Sequence, residues 1–259
     1  MGENSIKMSI CKYSNKAIQE ITDFVTCEYP LTLFVNGKEI VTVVCSPDNL
    51  KELAVGFLFS EGFISSFQDI LEMECEESDG LFNIKLAADP MNTDSFLRRK
   101  IASCCGKGRA GLYFINDARQ VKEVKASGSF KADYFLEQMA WLEKNSQSFH
   151  LTGGVHCAAL VKEAVICMYE DIGRHNAVDK VLGALCIEGL ETKDTFLMLS
   201  GRVSSEIVIK TARADIPFIV SKSAPTDLAI GLAEELNITM IGFARGQSLN
   251  IYTHPERIN

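Results

Sequence analysis

Cys104 and Cys105 stand side by side, preceded by Ser103 and followed by Gly106-Lys107-Gly108-Arg109. The thiolate is the reactive form of cysteine, and nearby lysine or arginine lowers a thiol's pKa. Glycines keep such a stretch open to a second reactant, so the pair suits thiolate nucleophile chemistry. A structural zinc site does not fit, because no Cys-x-x-Cys and no neighbouring histidine supplies the other ligands. A disulfide between adjacent residues would be strained. The other seven cysteines, such as Cys167 in Val-Ile-Cys-Met-Tyr and Cys186 in Ala-Leu-Cys-Ile, mostly sit in apolar company and read as small core hydrophobes.

A second set of reactive residue types recurs where apolar runs end. Four such runs lead into Glu170-Asp171-Ile172-Gly173-Arg174-His175-Asn176, Ser200-Gly201-Arg202-Val203-Ser204-Ser205-Glu206, Ser221-Lys222-Ser223-Ala224-Pro225-Thr226, and Phe243-Ala244-Arg245-Gly246-Gln247-Ser248. In an open α/β sheet, ligands bind outside the carboxyl ends of the strands. Three of these loops enter helices, whose amino-terminal N–H groups favour anions. Arg174, Arg202, Lys222 and Arg245 would converge there, and arginine suits bidentate contact with phosphate. The expected ligand is therefore a nucleotide or a nucleotide-like cofactor. Asp171, His175 and Asp179 are spaced by four and would share a helix face, where a carboxylate can fix a histidine's tautomer for acid–base work. Asp171 reads equally as a helix cap. His156 follows Gly153-Gly154-Val155, and the glycines permit close approach of a ligand to the backbone; it reads as a ligand contact or as a satisfied, partly buried histidine.

The elements that must position these groups follow from periodicity. Pro30 to Val44 alternates around Asn36-Gly37, a hairpin signal. Leu50 to Glu61 has helical spacing and stops at Gly62; Ile70 to Cys75 and Leu81 to Leu86 read as strands. Residues 1–95 thus form a small α+β domain, and 96–149 a connector with the cysteine loop and a helix from Ala132 to Glu143. Over 150–259, strands near 164–169, 196–199, 217–220 and 238–243 alternate with helices near 176–185, 203–213 and 225–236. That alternation implies an α/β domain with a largely parallel sheet, and Pro225 is placed at a first helical position. The chain has 259 residues, 47% hydrophobic and 23% charged, which excludes disorder and low complexity. Its net charge of −8 argues against nucleic acid as a partner, and no apolar run is long enough to span a membrane. Nine cysteines, an odd number, without an export signal point to a reducing cytoplasm.

The runs Thr152-Gly-Gly-Val-His156, Glu170-Asp-Ile-Gly-Arg-His-Asn-Ala-Val-Asp-Lys180, Ser200-Gly-Arg-Val-Ser-Ser-Glu206, Ser223-Ala-Pro-Thr226 and Gly242-Phe-Ala-Arg-Gly246 resemble the formate dehydrogenase accessory sulfurtransferase family, as do Glu28-Tyr-Pro-Leu and Leu53-Ala-Val-Gly-Phe-Leu. The resemblance spans roughly residues 25–257. It implies a cytidine-deaminase-like α/β domain with a small N-terminal domain, often as a homodimer. It implies a carrier that takes sulfur from a cysteine desulfurase as a cysteine persulfide. The sulfur then passes to the molybdenum or tungsten bis-molybdopterin guanine dinucleotide cofactor of formate dehydrogenase, with GDP as a mimic of the cofactor's nucleotide end. Cofactor contacts are implied at Phe243 to Ser248, His156, Gly173 to His175, Arg202 and Ser223 to Pro225. Many members carry Cys-x-x-Cys in the connector, whereas this chain has Cys104-Cys105-Gly106-Lys107. Aligned on Ser-Cys, the persulfide falls on Cys104; aligned on Cys-Gly-Lys, Cys105 falls on the second family cysteine. The zinc signature of true deaminases is absent, because His156 is followed by Cys157-Ala158 and Pro225 by Thr226-Asp227. No stoichiometric zinc is expected. A non-catalytic cofactor chaperone, and a nucleotide hydrolase or deaminase using Asp171 and His175, are the competing readings.

Overall fold

The computed structural model describes residues 4–88, 121–125 and 128–259. Strands β1 (Ser5–Ser14) and β2 (Ala17–Thr26) form an antiparallel two-stranded ribbon. Strands β3 (Tyr29–Val35) and β4 (Lys38–Cys45) follow as the expected hairpin. Asn36 at φ 49° and Gly37 at φ 75° supply the two left-handed residues that its two-residue turn requires. Helix α1 spans Leu50–Glu61 and ends at Gly62 as its spacing predicts. Strands β5 (Ile70–Glu76) and β6 (Leu81–Leu86) complete a four-stranded sheet of order β4-β3-β6-β5. The boundary near residue 95 and the cysteine loop lie outside the described residues.

Helices α2 (Ala132–Asn145) and α3 (Gln147–Thr152) lead into β7 (His156–Val161) and β8 (Val165–Asp171). Then come α4 (Arg174–Glu188), β9 (Phe196–Leu199), α5 (Ser205–Arg213), β10 (Phe218–Ser221), α6 (Asp227–Glu235), β11 (Thr239–Arg245) and β12 (Ser248–Ile251). The six-stranded sheet has the order β12-β11-β10-β9-β7-β8. Within it β9, β10 and β11 pair parallel with one another, whereas β7 runs antiparallel to both neighbours, and β12 to β11. The expected largely parallel sheet is thus a mixed one. A short connection takes β7 straight back into β8, and a tight turn does the same for β11 and β12; neither leaves room for a crossover helix. Pro225 lies outside α6, because Thr226 is the N-cap and its hydroxyl accepts from Ala229 N at 3.3 Å.

Helix α4 is apolar and buried around much of its circumference, from Ala177 through Cys186. Such a helix must be covered on two sides. One side packs on the six-stranded sheet and the other on α1, and α1 in turn lies under the four-stranded sheet. Helix α2 covers the opposite face of the large sheet through Phe135, Met139 and Leu142. The α1–α4 crossing depends on two glycines. A Cβ at Gly56 would stand 1.7 Å from the Asp179 carbonyl oxygen, and one at Gly183 would stand 1.8 Å from that of Glu52. A buried charge network spans the same crossing: Lys210 Nζ of α5 donates to Asp179 Oδ1 at 2.6 Å and to Ser60 Oγ at 2.8 Å. No helix among the described residues is long and apolar enough to cross a membrane.

Candidate functional site

Strands β9, β10 and β11 are parallel, and β8 shares their direction because β7 is antiparallel to both β8 and β9. All four carboxyl ends therefore lie on one edge. The amino end of β7 arrives at the same edge, with His156 opposite Asp171. The four loops are brought together as the strand–helix alternation predicts, and His156 joins them through antiparallel β7.

Hydrogen bonds stitch those loops into a fixed rim. Ser221 Oγ donates to Gly201 O at 2.7 Å, Thr226 N to Val203 O at 3.0 Å, and Phe243 N to Ser223 O at 3.1 Å. Phe243 takes φ 50° in a bulge between Gly242 and Arg245. A bulge re-aims a side chain and bends the strand. The Arg245 guanidinium sits 5.5 Å above the Phe243 ring, an aromatic and cationic plate at the rim. Gly246 and Gln247 form the exposed turn into Ser248, and Arg202 is exposed. Ala244 differs from this group, because its side chain is buried in the core under α2.

His156, Arg174 and Gly201 meet at the centre. A Cβ on Gly201 would lie 3.2 Å from both His156 Nδ1 and Arg174 Cβ. Among the described residues, Arg174 Nε is buried without a hydrogen-bond partner. A buried donor left unmade costs roughly 1–3 kcal/mol, which an oxyanion placed there would recover. Burial holds the His156 pKa below its usual value, and the Arg174 charge pushes the same way against Asp171. His156 is therefore neutral at pH 7. Its neutral form stabilises the fold above the usual 6.5, and that contribution is lost as pH falls through the lowered value. NMR titration should find His156 titrating below 6.5, and Arg174→Met should move it upward while leaving the burial effect in place. An unchanged midpoint in that variant would show that the two side chains do not interact.

Asp171 and His175 do not form the expected acid–base pair. Asp171 ends a strand rather than beginning a helix, so four-residue spacing does not place it beside His175. It is fully buried, 2.8 Å from Lys180 Nζ, and accepts from Ser46 N at 3.1 Å, Gly173 N at 2.9 Å and Asn176 Nδ2 at 2.9 Å. Those bonds lock the β4–α1 loop to the Gly173–Arg174 corner. His175 instead meets Ser204 Oγ at 3.2 Å and Glu206 Oε2 at 3.3 Å on α5. Asp179 faces the other way, onto Lys210.

A cleft of about 600 Å³ opens between this rim and the α2–α3 corner, bordered by Leu142, Phe149, Gly154, His156, Ser200 and Lys222. Lys222 is not a free cation there, because Glu143 of α2 holds its Nζ at 3.0 Å. Neither Glu143 nor Phe149 was legible as a site residue: Glu143 sits on α2, far in sequence from the strand-end loops, and Phe149 on α3, a six-residue helix too short for a periodic signal. Cys157 borders the cleft, but burial pushes its thiol up to about 12. Burial pushes Cys45 to about 12 as well, and Cys167 and Cys186 to about 11. These four thiols stay protonated at neutral pH and make poor nucleophiles. Cys104 and Cys105 lie outside the described residues.

Comparison with known proteins gives the family. The profile of the FdhD/NarQ family matches residues 26–259. A sulfur carrier protein FdhD from Bacillus pumilus (strain SAFR-032) is 46% identical over 239 residues, covering 92% of this chain and 91% of its own. Another of that name, from Listeria monocytogenes serotype 4b (strain F2365), is 46% identical over 255 residues, covering 96% and 97%. The crystal structure of a putative formate dehydrogenase accessory protein from Desulfotalea psychrophila superposes with a TM-score of 0.81 at 25% identity, over 99% of this chain and 100% of that one. With a family match over residues 26–259 and relatives 46% identical over nearly the whole length, the chain belongs to the FdhD/NarQ family.

Proposed function

We propose that this protein is a cytoplasmic sulfur carrier and sulfurtransferase serving formate dehydrogenase. A thiolate at Cys104 or Cys105 attacks the terminal sulfur of a persulfide on a cysteine desulfurase. The donor's S–S bond breaks, the donor thiolate leaves, and a new S–S bond forms on this chain. A thiol reductant then attacks the inner sulfur, the S–S bond breaks, and the outer sulfur leaves as sulfide; it replaces an oxygen ligand, released as water, on the molybdenum or tungsten of a bis-molybdopterin guanine dinucleotide, the substrate held at the strand ends of a cytidine-deaminase-like unit. The observation that carries the site is the buried Arg174 Nε, unpartnered among the described residues, beside a neutral His156 on a rim built by several loops. That geometry accepts a phosphate oxygen, while Phe243 with Arg245 offers a flat face to guanine. The raised pKa values of Cys45, Cys157, Cys167 and Cys186 set those four thiols aside, and the flanking Lys107 and Arg109 favour the Cys104-Cys105 pair as the carrier.

Two measurements test the reading. Incubation with a cysteine desulfurase and cysteine should add the mass of one sulfur to a peptide spanning Cys104 and Cys105; an unmodified peptide would overturn the carrier role. Calorimetry should detect GDP binding, and Arg245→Ala should weaken it about 10-fold or more, because a charge-assisted hydrogen bond contributes roughly 1.5–3 kcal/mol. Undetectable heat, with no competition by the cofactor, would remove the nucleotide site.

A further inference from the structure

Asp171 stands behind the rim, fully buried, with a donor pair on each of its oxygens. Gly173 N and Asn176 Nδ2 reach Oδ1, each at 2.9 Å; Ser46 N at 3.1 Å and Lys180 Nζ at 2.8 Å reach Oδ2. A carboxylate offers about four lone-pair sites, so this one has none left for a substrate. Lys180 is saturated as well, since its other N–H groups go to Asp48 Oδ1 at 2.8 Å and Glu170 O at 3.2 Å. Burial alone would push the Lys180 pKa down; the Asp171 and Asp48 carboxylates outweigh it and hold the pKa above its usual value.

The bonds converge on a corner that cannot fix itself. Helix α4 begins at Arg174, and its N-cap, Gly173, has no side chain to close the first turn. Fixation comes from outside the helix. Ile172 N donates to Ser46 Oγ at 3.2 Å, Gly173 N to Asp171, and Asn176 Nδ2 to Val44 O at 2.9 Å as well as to Asp171. Val44, Ser46 and Asp48 belong to β4 and the loop that leads to α1, so the N-terminal sheet holds this corner from the far side. A side chain at Gly173 would crowd the Asn176 amide, with its Cβ 2.9 Å from Nδ2.

We infer that Asp171 is a positioning residue, through which the β4–α1 loop and Lys180 set Arg174 at the rim; the inference rests on the rim being a phosphate site. A buried ion pair adds little net stability over apolar side chains of the same volume, so stability does not account for the network. What the network supplies is direction. A group that must meet a ligand atom has to be held within about 0.5 Å, and supporting hydrogen bonds do that. Arg174 Nε has no such bond among the described residues, so its aim depends on the backbone from which the side chain rises.

Calorimetric titration with GDP across a double-mutant cycle tests it. Asp171→Asn turns an amide donor toward two of the four donors and should weaken GDP about 10-fold or more, as Arg174→Met should. The double variant should bind no more weakly than Arg174→Met alone, because a residue acting through Arg174 adds nothing once Arg174 is gone. Asn176→Ala goes through the same cycle, so that poor folding of Asp171→Asn does not end the test. It changes no charge and gives a readout that needs no ligand. The corner loosens, Arg174 withdraws from His156, and the NMR midpoint of His156 should rise toward its value in Arg174→Met. Losses that multiply in the double variants overturn the inference, as does full GDP affinity in both single variants or a His156 midpoint that Asn176→Ala leaves unmoved. If the unsubstituted protein binds no GDP, the phosphate reading of the rim fails by itself. The His156 midpoint then decides the positioning role alone: a rise upholds it and an unchanged midpoint overturns it.

Discussion

Gly56→Ala should lower the melting temperature by about 10 °C or more, the equivalent of ~4 kcal/mol at 2–4 °C per kcal/mol for a chain of this size. The added methyl would sit 1.7 Å from the Asp179 carbonyl oxygen, less than half a van der Waals contact, and 2.7 Å from Gly183 N. The obstructing atoms are helix backbone, so no side-chain rotation relieves the clash. Helix α1 must move away from α4, and Ser60 moves with it. Ser60 Oγ donates to Asp179 Oδ1 at 2.8 Å and accepts from Lys210 Nζ at 2.8 Å. Pulling that hydroxyl out leaves a buried ion pair less well solvated, in addition to the overpacking cost of roughly 1–3 kcal/mol. Gly231→Ala is the control. It lies on the exposed face of α6 with nothing within 4 Å, and it should stabilise by roughly 0.4–1 kcal/mol through the unfolded state. Calorimetric melting of both variants decides. A Gly56→Ala protein that melts with the wild type would show that the two helices do not approach this closely.

Replacing Cys104 and Cys105 together by Ala should abolish activation of formate dehydrogenase. GDP affinity should stay nearly unchanged, because that affinity resides in rim contacts such as those of Arg245 and Arg174. Lys107 and Arg109 stand two to five positions from the two thiols in sequence and favour thiolate. No rim residue does equivalent chemistry: His156 is neutral and Cys157 is held protonated by burial. The single variants should differ, and the more damaging of the two identifies the carrier. Activity is read by single-turnover transfer of labelled sulfur from a desulfurase to the cofactor. Full transfer by the double variant would end the persulfide mechanism and leave a cofactor-holding role in its place.

The rim was legible before any coordinates because each of its loops carries its own punctuation. Gly173-Arg174, Ser200-Gly201-Arg202, Ser223-Ala224-Pro225 and Arg245-Gly246 each follow an apolar run, and runs separated by helical segments must end on a common side of a sheet wherever they are parallel. The Asn36-Gly37 hairpin and the limits of α1 were legible for the same local reason, since turn geometry and helix termination depend on residues within a few positions. Antiparallel β7 was not. His-Cys-Ala-Ala-Leu-Val has two alanines and no alternation, so its conformation is set by being buried between β8 and β9. The β1–β2 ribbon also escaped, because its period-2 pattern is blurred where lysines and serines share faces with isoleucines.

What the sequence determined alone is the family and the punctuated loops that end at one sheet edge, because residue type and local spacing carry both. What tertiary structure alone decided is which of those residues work together. Asp171 and His175 are neighbours in sequence, yet one serves the junction with the β4–α1 loop and the other faces Glu206. His156 and Arg174, eighteen positions apart, share one contact on Gly201. Lys222 is neutralised by Glu143 from a helix that precedes the sheet. The reason is physical: charge, hydrogen bonding and burial act over a few ångströms of space, and in a mixed sheet nearness in space depends on strand direction and register, which no window of neighbouring residues records.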